Sequence, residues 1–320
     1  MMKQRKIGII GLGAVGKNCA YALCLSGLAD ELLLVDIKPE KVAAECQDLR
    51  DCMSYCPHPV EVNVADYGDL GDCDIIVNAV GNMPLLLESL DRVDELHFNL
   101  AQVNDFVPKI MAGGFHGIFI NISNPCDIIT HQVAKLAGLP KGHVFGTGTG
   151  LDSSRLIALL HQQTGIAHRS INALMMGEHG ASIMVPWSQV SFGSKSLASL
   201  EKTGDPRFQF DHWSFRKKAE ENAYMVLSGK HCTEYGICTT LLRTVDLVVH
   251  DQKAVQPASM ELCGEYGVSG INAGVPCIIG ANGVEEIVEY DLPESELAEF
   301  HACCDNIRRN MTMDENVIWD

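Results

Sequence analysis

Gly11-Leu12-Gly13-Ala14-Val15-Gly16 is the stretch on which the fold turns. An apolar run at 6–10 leads into it, an apolar segment at helical spacing follows it to Leu28, and a second short run, Leu32 to Val35, ends in Asp36. Strand, glycine turn, helix, strand and acid make a βαβ unit. Gly11 permits the tight turn out of the strand, Gly13 lets backbone approach a pyrophosphate, and Gly16 lets the helix pack closely on the sheet. The positive end of the helix then faces the phosphates. A glycine triplet alone also fits any tight strand-to-helix connection. Asp36, 20 residues after Gly16, favours a dinucleotide: a carboxylate there accepts hydrogen bonds from the ribose hydroxyls of NAD and repels the extra phosphate of NADP.

Outward from this unit, short apolar runs at 75–80, 117–122 and 144–145 are separated by helical stretches such as 93–112 and 127–137. That alternation predicts a parallel sheet with helices on both faces. After about residue 150 the character changes. A helix at 152–163 is stopped by Gly165, strand-like runs follow at 171–176 and 183–190, and a polar stretch at 202–211 precedes a long helix at 212–229. Strand signals return at 254–261 and 275–279, the turn Ala281-Asn282-Gly283-Val284 follows, and a last helix begins near Pro293 and Glu294. The expected fold is α/β. Residues 1–147 form a Rossmann doubly wound parallel sheet and residues 148–320 an α+β substrate and catalytic domain, packed together because no linker, repeat or low-complexity segment intervenes.

The 320 residues, 47% hydrophobic with 29 glycines, suffice for a substantial core. A net charge of -17 without clustered Lys and Arg argues against nucleic-acid partners. No charged and apolar leader precedes Ile7 and no run approaches the roughly 18 apolar residues of a membrane helix, so a cytoplasmic protein is expected. The thirteen cysteines contain no C-x-x-C and are read as reduced, small, buried hydrophobes. Cys52, Cys56 and His58 make the best metal-like cluster, but three candidates in a loop with two prolines fit no closed zinc pattern, and no metal is expected.

Chemistry concentrates in the second half. His179, in Gly177-Glu178-His179-Gly180, ends an apolar run; Asp152 and Arg155, at i and i+3, share one helix face and address one small pocket. A carboxylate bonded to one imidazole nitrogen fixes the tautomer and favours the charged ring, and a guanidinium grips a carboxylate bidentately. Alone, the histidine reads as structural and the pair as a surface ion pair. Asn124, in Ile122-Ser123-Asn124-Pro125, falls on the carboxyl edge of the sheet, where it orients a carbonyl or hydroxyl or simply forms a turn. Between Gly81 and Arg92 the composition is that of a mobile loop. Arg92 closes over substrate and polarises its carbonyl, or it is a solvated helix-start charge.

With these motifs in order and spacing, joined by GKHCTEYG at 229–236, the chain resembles the L-lactate/malate dehydrogenase family over essentially its whole length. It is most similar to the L-2-hydroxyisocaproate dehydrogenase branch in its Gly81-Asn82 loop opening, Asp91–Leu96 and the GTGTxLD stretch at 146–152. The resemblance implies NAD as cofactor, held by Gly11, Gly13, Gly16, Asp36 and Asn124. It implies His179 as proton donor and acceptor, Asp152 as its orienting partner, Arg155 on the substrate carboxylate and Arg92 on the reacting oxygen, with Asn124 and Thr233 lining the pocket. The implied reaction is hydride transfer between NADH and the carbonyl carbon of a 2-oxo acid, in a homo-oligomer, dimer or tetramer, without nucleic-acid or membrane partners.

Substrate choice is expected from the loop Asn82-Met83-Pro84-Leu85-Leu86-Leu87-Glu88-Ser89-Leu90-Asp91, which has no basic residue. A buried second carboxylate left without a cation costs several kcal/mol, so a dicarboxylate such as the substrate of a malate dehydrogenase fits poorly. The leucines, Leu86 at their centre, favour an apolar or branched side chain, or else pack within the loop and leave a pyruvate pocket. Glu234, after Thr233, departs from the small residue common in the family. The family's sugar-bisphosphate site, formed by an arginine and a histidine, would fall on Ile157 and Asn172, so that activation is not expected. A metal-dependent glycosidase of related fold would need a Cys/His metal pair, and a non-enzymatic NAD-binding protein would lack His179, Asp152 or Arg155.

Overall fold

The structure, a computed structural model, describes residues 4–82, 92–180 and 182–319. Six strands, β1 (Lys6–Ile10), β2 (Glu31–Val35), β3 (Glu61–Val64), β4 (Ile75–Asn78), β5 (Ile118–Asn121) and β6 (Val144–Gly146), lie parallel in the order β3-β2-β1-β4-β5-β6. Helices α1 (Ala14–Ser26), α2 (Pro39–Cys52), α3 (Arg92–Ala112) and α4 (Cys126–Ala137) belong to the crossovers. Parallel strands covered on both faces need continuous apolar runs rather than alternation. Ile7, Ile9, Leu32, Leu34, Ile76, Val77, Phe119 and Ile120 accordingly have no solvent exposure, each worth roughly 1.5–3 kcal/mol of burial. The strand order reverses between β1 and β4, which opens a crevice at their carboxyl ends where ligands bind.

The second half begins with α5 (Gly150–Thr164), ending just before Gly165. A separate three-stranded antiparallel sheet is made of β7 (Ile171–Asn172), β8 (Ser191–Phe192) and β9 (Lys195–Ser196). After the short α6 (Leu197–Glu201) come α7 (His212–Lys230) and α8 (Tyr235–Val249), then β10 (Ala254–Cys263), β11 (Ser269–Gly280), β12 (Gly283–Ile287) and α9 (Glu294–Met311). Leu156, Leu160, Phe192, Phe208 and Phe215 form a second apolar cluster under the small sheet.

The structure departs from the sequence expectation in three places. The large sheet does not end with the first half: β10 pairs antiparallel with β6, Ser259 opposite Gly146, and β11 and β12 extend it to nine strands. The strands expected at 171–176 and 183–190 shrink to β7 and single bridges, Met176 to Met184 and Gly177 to Gly274. Pro186 has no N–H for a ladder, and Trp187–Gln189 is a 3-10 turn whose Ser188 N–H donates to Glu296 Oε1 at 2.9 Å. Helix α8 was not legible in advance. Its Ile237, Thr239, Thr240, Thr244, Val245, Val248 and Val249 are β-branched and favour strands locally; burial of Cys238, Leu241, Val245 and Val248 overrides them.

Candidate active site

The cofactor cradle follows from the glycines. Gly11 has φ +87°, a left-handed backbone that side chains rarely adopt, and a Cβ on Gly16 would lie 1.8 Å from the Gly11 carbonyl oxygen. Apart from its chain neighbours, no atom of the described residues lies within 4 Å of where a Gly13 Cβ would stand, so the backbone there is open to a phosphate at the N-terminus of α1. Asp36, just beyond β2, accepts from the Leu12 N–H at 2.8 Å on one oxygen and from the Lys38 N–H at 3.0 Å on the other. It ties the glycine loop to the sheet edge, and each oxygen keeps lone-pair capacity for a ribose hydroxyl. Open space at Gly13, close packing at Gly16 and the acid at the strand end fit a dinucleotide.

The first two turns of α5 carry Asp152 and Arg155. Asp152 Oδ2 is 2.6 Å from His179 Nδ1, and its Oδ1 accepts from Arg155 Nη1 at 2.9 Å. Arg155 Nη2 reaches Thr233 Oγ1 at 3.4 Å. Four residues named from sequence therefore converge. His179 is held at Nδ1, which leaves Nε2 to exchange a proton. Burial works against the charged imidazole, but the charge and hydrogen bond of Asp152, with Asp127 behind, outweigh it and raise the pKa above the ordinary histidine value, Arg155 opposing. Burial likewise disfavours the Asp152 carboxylate, yet His179 and Arg155 hold its pKa below the usual range.

Asn124 lies exposed just beyond β5, its carbonyl accepting from Asn99 Nδ2 at 2.6 Å, and its peptide bond to Pro125 is cis. Arg92 opens α3; its side chain, and Leu86 with the rest of 83–91, lie outside the described residues. Glu234 is turned away from Arg155: it pairs with Lys230, and Asn18 on α1 donates to it at 3.4 Å. Cys52 and Cys56 stand 3.6 Å apart at sulfur, and among the described residues no three His, Cys, Asp or Glu are arranged to hold a metal ion.

Sequence reasoning passed over the groups that hold this constellation. Asp127, 3% exposed, accepts the backbone N–H of His179 at 2.9 Å and the Ser259 hydroxyl at 2.6 Å, joining α4, β10 and the histidine loop. Burial raises its pKa to about 6 despite those donors. Glu178, also buried, accepts from Ser182, Asn306 and Asn310 at 2.5 to 2.8 Å, anchoring the loop to α9. Asn78 and Asn121 bond across the ends of β4 and β5 at 2.9 Å. The available signal was polarity out of place: Asp127 stands among Cys126, Ile128 and Ile129 in an apolar run.

A phosphate cradle at the carboxyl edge of a doubly wound sheet, opening toward an acid–base histidine and a guanidinium, is the arrangement of an NAD-dependent oxidoreductase. Residues 5–146 match the NAD-binding domain of lactate/malate dehydrogenases and residues 149–317 their alpha/beta C-terminal domain. The chain belongs to the lactate/malate dehydrogenase family. It is 41% identical over 305 residues to an L-lactate dehydrogenase of Fusobacterium nucleatum, covering 95% of each chain. It is 40% identical to L-lactate dehydrogenase 2 of Listeria monocytogenes, covering 93% of this chain and 96% of that one. Among solved structures it superposes with TM-score 0.89 on the minor L-lactate dehydrogenase of Enterococcus mundtii in ligand-bound form, at 32% identity and 96% and 97% coverage. With a lactate dehydrogenase from a Medee basin deep-sea metagenome library the TM-score is 0.91, at 30% identity and 98% and 99% coverage.

Proposed function

We propose that the chain is an L-2-hydroxy acid dehydrogenase interconverting 2-oxo acids and L-2-hydroxy acids, with preference for apolar or branched side chains as in the L-2-hydroxyisocaproate branch. The observation that carries the chemistry is the single carboxylate, Asp152, bonded both to His179 Nδ1 and to Arg155. Arg155 exchanges part of that contact for the substrate carboxylate, which a planar guanidinium binds with two parallel hydrogen bonds. Thr233, already within reach of Arg155, closes one side of the pocket. Bound NADH supplies the hydride. The imidazolium of His179 gives its proton to the oxygen that becomes the hydroxyl, and Asp152 stabilises the charge beforehand; in the reverse direction neutral His179 takes the proton. Arg92, at the start of α3, is assigned to polarise the reacting oxygen and Asn124 to orient it.

For the side chain, the support is the sequence of 82–91, which offers four leucines, three of them consecutive, and no cation. Pyruvate is the second reading, favoured by the names of the relatives. A homo-oligomer, dimer or tetramer, is proposed as the working form, because α7 leaves Trp213, Tyr224 and Met225 exposed. The test is NADH oxidation across pyruvate, 2-oxobutyrate, 2-oxoisocaproate, phenylpyruvate and oxaloacetate. Highest kcat/KM on 2-oxoisocaproate supports the first reading, and highest on pyruvate the second. Turnover chiefly of oxaloacetate, or of none, refutes both.

A further inference from the structure

Two cysteines that take no part in the chemistry above lie sulfur to sulfur between α1, which starts at the cofactor cradle, and α8, which follows Thr233. Cys19 is in the second turn of α1, the helix that starts at the glycine cradle; Cys238 is in the first turn of α8, which starts two residues after Thr233. Their Sγ atoms are 3.3 Å apart, Cys19 has no solvent exposure and Cys238 has 6%. Around them, Asn18 donates to Glu234 at 3.4 Å, Glu234 pairs with Lys230, and Cys238 Sγ is 3.8 Å from the Val15 carbonyl oxygen. The contact thus stands where the cofactor helix α1 meets α8, the helix that follows Thr233.

We infer that Cys19 and Cys238 are an oxidative modification site, closed to an intrachain disulfide by a peroxide, which lowers activity reversibly. The two sulfurs are within hydrogen-bonding distance and either can donate; with the Cys19 S–H as donor, the bond favours the Cys238 thiolate and disfavours ionisation of Cys19, and the thiolate is the nucleophile. Hydrogen peroxide is small enough to enter where larger disulfides are not. The Cys238 thiolate attacks one peroxide oxygen, the O–O bond breaks, and Cys238 sulfenic acid forms with hydroxide leaving. Cys19, losing its proton to that hydroxide, attacks the sulfenic sulfur; the S–S bond forms, the S–O bond breaks and a second hydroxide leaves, taking up the proton from which the Cys238 thiolate came. Overall two thiols are oxidised by two electrons and one peroxide is reduced to two waters. Dithiol reductants reverse it by thiol–disulfide exchange.

The bond is shorter than the 3.3 Å contact, so closing it draws the second turn of α1 toward the first turn of α8, and strains the cradle and Thr233 at the starts of those helices. Displacements of about 1 Å at a site of this kind cost up to ~100-fold in rate. The cross-link is read by mass, independently of the reaction; the activity readout rests on the function proposed above. The whole protein is treated with hydrogen peroxide, the remaining thiols are blocked, and peptides are mapped with and without dithiothreitol. The expected result is a Cys19–Cys238 linked peptide lighter by two hydrogens, with NADH-dependent turnover falling about tenfold or more and restored by dithiothreitol. Cys19→Ala and Cys238→Ala, each checked for an unchanged melting temperature, should keep basal turnover and resist peroxide; Cys52→Ala should not. If either variant is destabilised, the peptide map of the wild type decides. Absence of the linked peptide, full activity of the cross-linked protein, or equal inactivation of the Cys19 and Cys238 variants overturns the inference.

Discussion

Asp152→Asn isolates the charge of the histidine's partner from its geometry. Asparagine keeps the side chain's shape, but the carboxylate is gone and one accepting oxygen remains for two donors, His179 Nδ1–H and Arg155. The Nδ1 to Oδ2 separation is 2.6 Å, which places the two charge centres about 4 Å apart, and at an effective dielectric of about 20 their attraction is about 4 kcal/mol. If that stabilisation is expressed in the imidazolium that donates the proton, its loss lowers kcat about 1000-fold. KM for the oxo acid should not rise, because Arg155 loses a competitor rather than a ligand. The pH profile gives a second readout. Reduction needs protonated His179, whose pKa is raised by Asp152, so wild-type reduction persists above the ordinary histidine pKa of about 6.5 and falls as pH rises through the raised value. In the variant the falling limb moves to lower pH. Stopped-flow and steady-state NADH oxidation from pH 5 to 9, with circular dichroism as the fold check, are the assays. A kcat within threefold of wild type with an unmoved limb would refute the assignment of Asp152.

Other expectations follow from the same geometry. Arg155→Lys should raise KM about tenfold to a hundredfold with smaller change in kcat, since one charge-assisted hydrogen bond is worth roughly 1.5–3 kcal/mol; an unchanged KM removes Arg155 from the carboxylate site. Asp36→Ala should narrow the preference for NAD over NADP, measured as the ratio of kcat/KM values, and a wild type that already accepts both disproves the reading of Asp36. Burial raises the Asp127 pKa to about 6 in the folded chain, above the usual carboxylate value of about 3.9, so its protonation stabilises the fold fully below about pH 4, and about 3 kcal/mol of that is lost as pH rises through 6. Urea unfolding should therefore show wild type losing stability relative to Asp127→Asn between pH 4 and 6, and parallel curves would exclude a buried, strained carboxylate. Fructose 1,6-bisphosphate at millimolar concentration should leave KM unchanged, because Ile157 is half-buried among apolar neighbours and Asn172 is neutral; a several-fold fall would reveal an anion site elsewhere.

What could be read from sequence was local. The glycine spacing and Asp36 report a cradle because each position has its own steric requirement, and the Gly16 to Gly11 approach shows why no larger residue serves. Asp152 and Arg155 were legible together because residues three apart along a helix share a face, and His179 because that carboxylate and guanidinium gave it partners. Contacts distant in sequence were not. Asp127 and Ser259 are 132 residues apart, and nothing periodic announces their bond. Helix α8 was hidden by β-branched residues whose burial against α1 outweighs local preference. The place of Glu234 became clear only from its neighbours Lys230 and Asn18, which neutralise and turn it.

The pairing of Gly146 with Ser259 also bears on how the chain is born. On the ribosome β6 emerges long before β10, and at about 5–20 residues per second the interval lasts roughly ten seconds. During it the six parallel strands present an open edge, with unpaired N–H and C=O groups along β6, and Asp127 lacks the Ser259 hydroxyl that later covers it. A nascent half-sheet of this kind is a template for wrong strand pairing. Asp127 stands beside that edge, because its partner Ser259 is the residue that pairs with Gly146, so the arrival of β10 closes the sheet and supplies the acid's hydroxyl donor in one step.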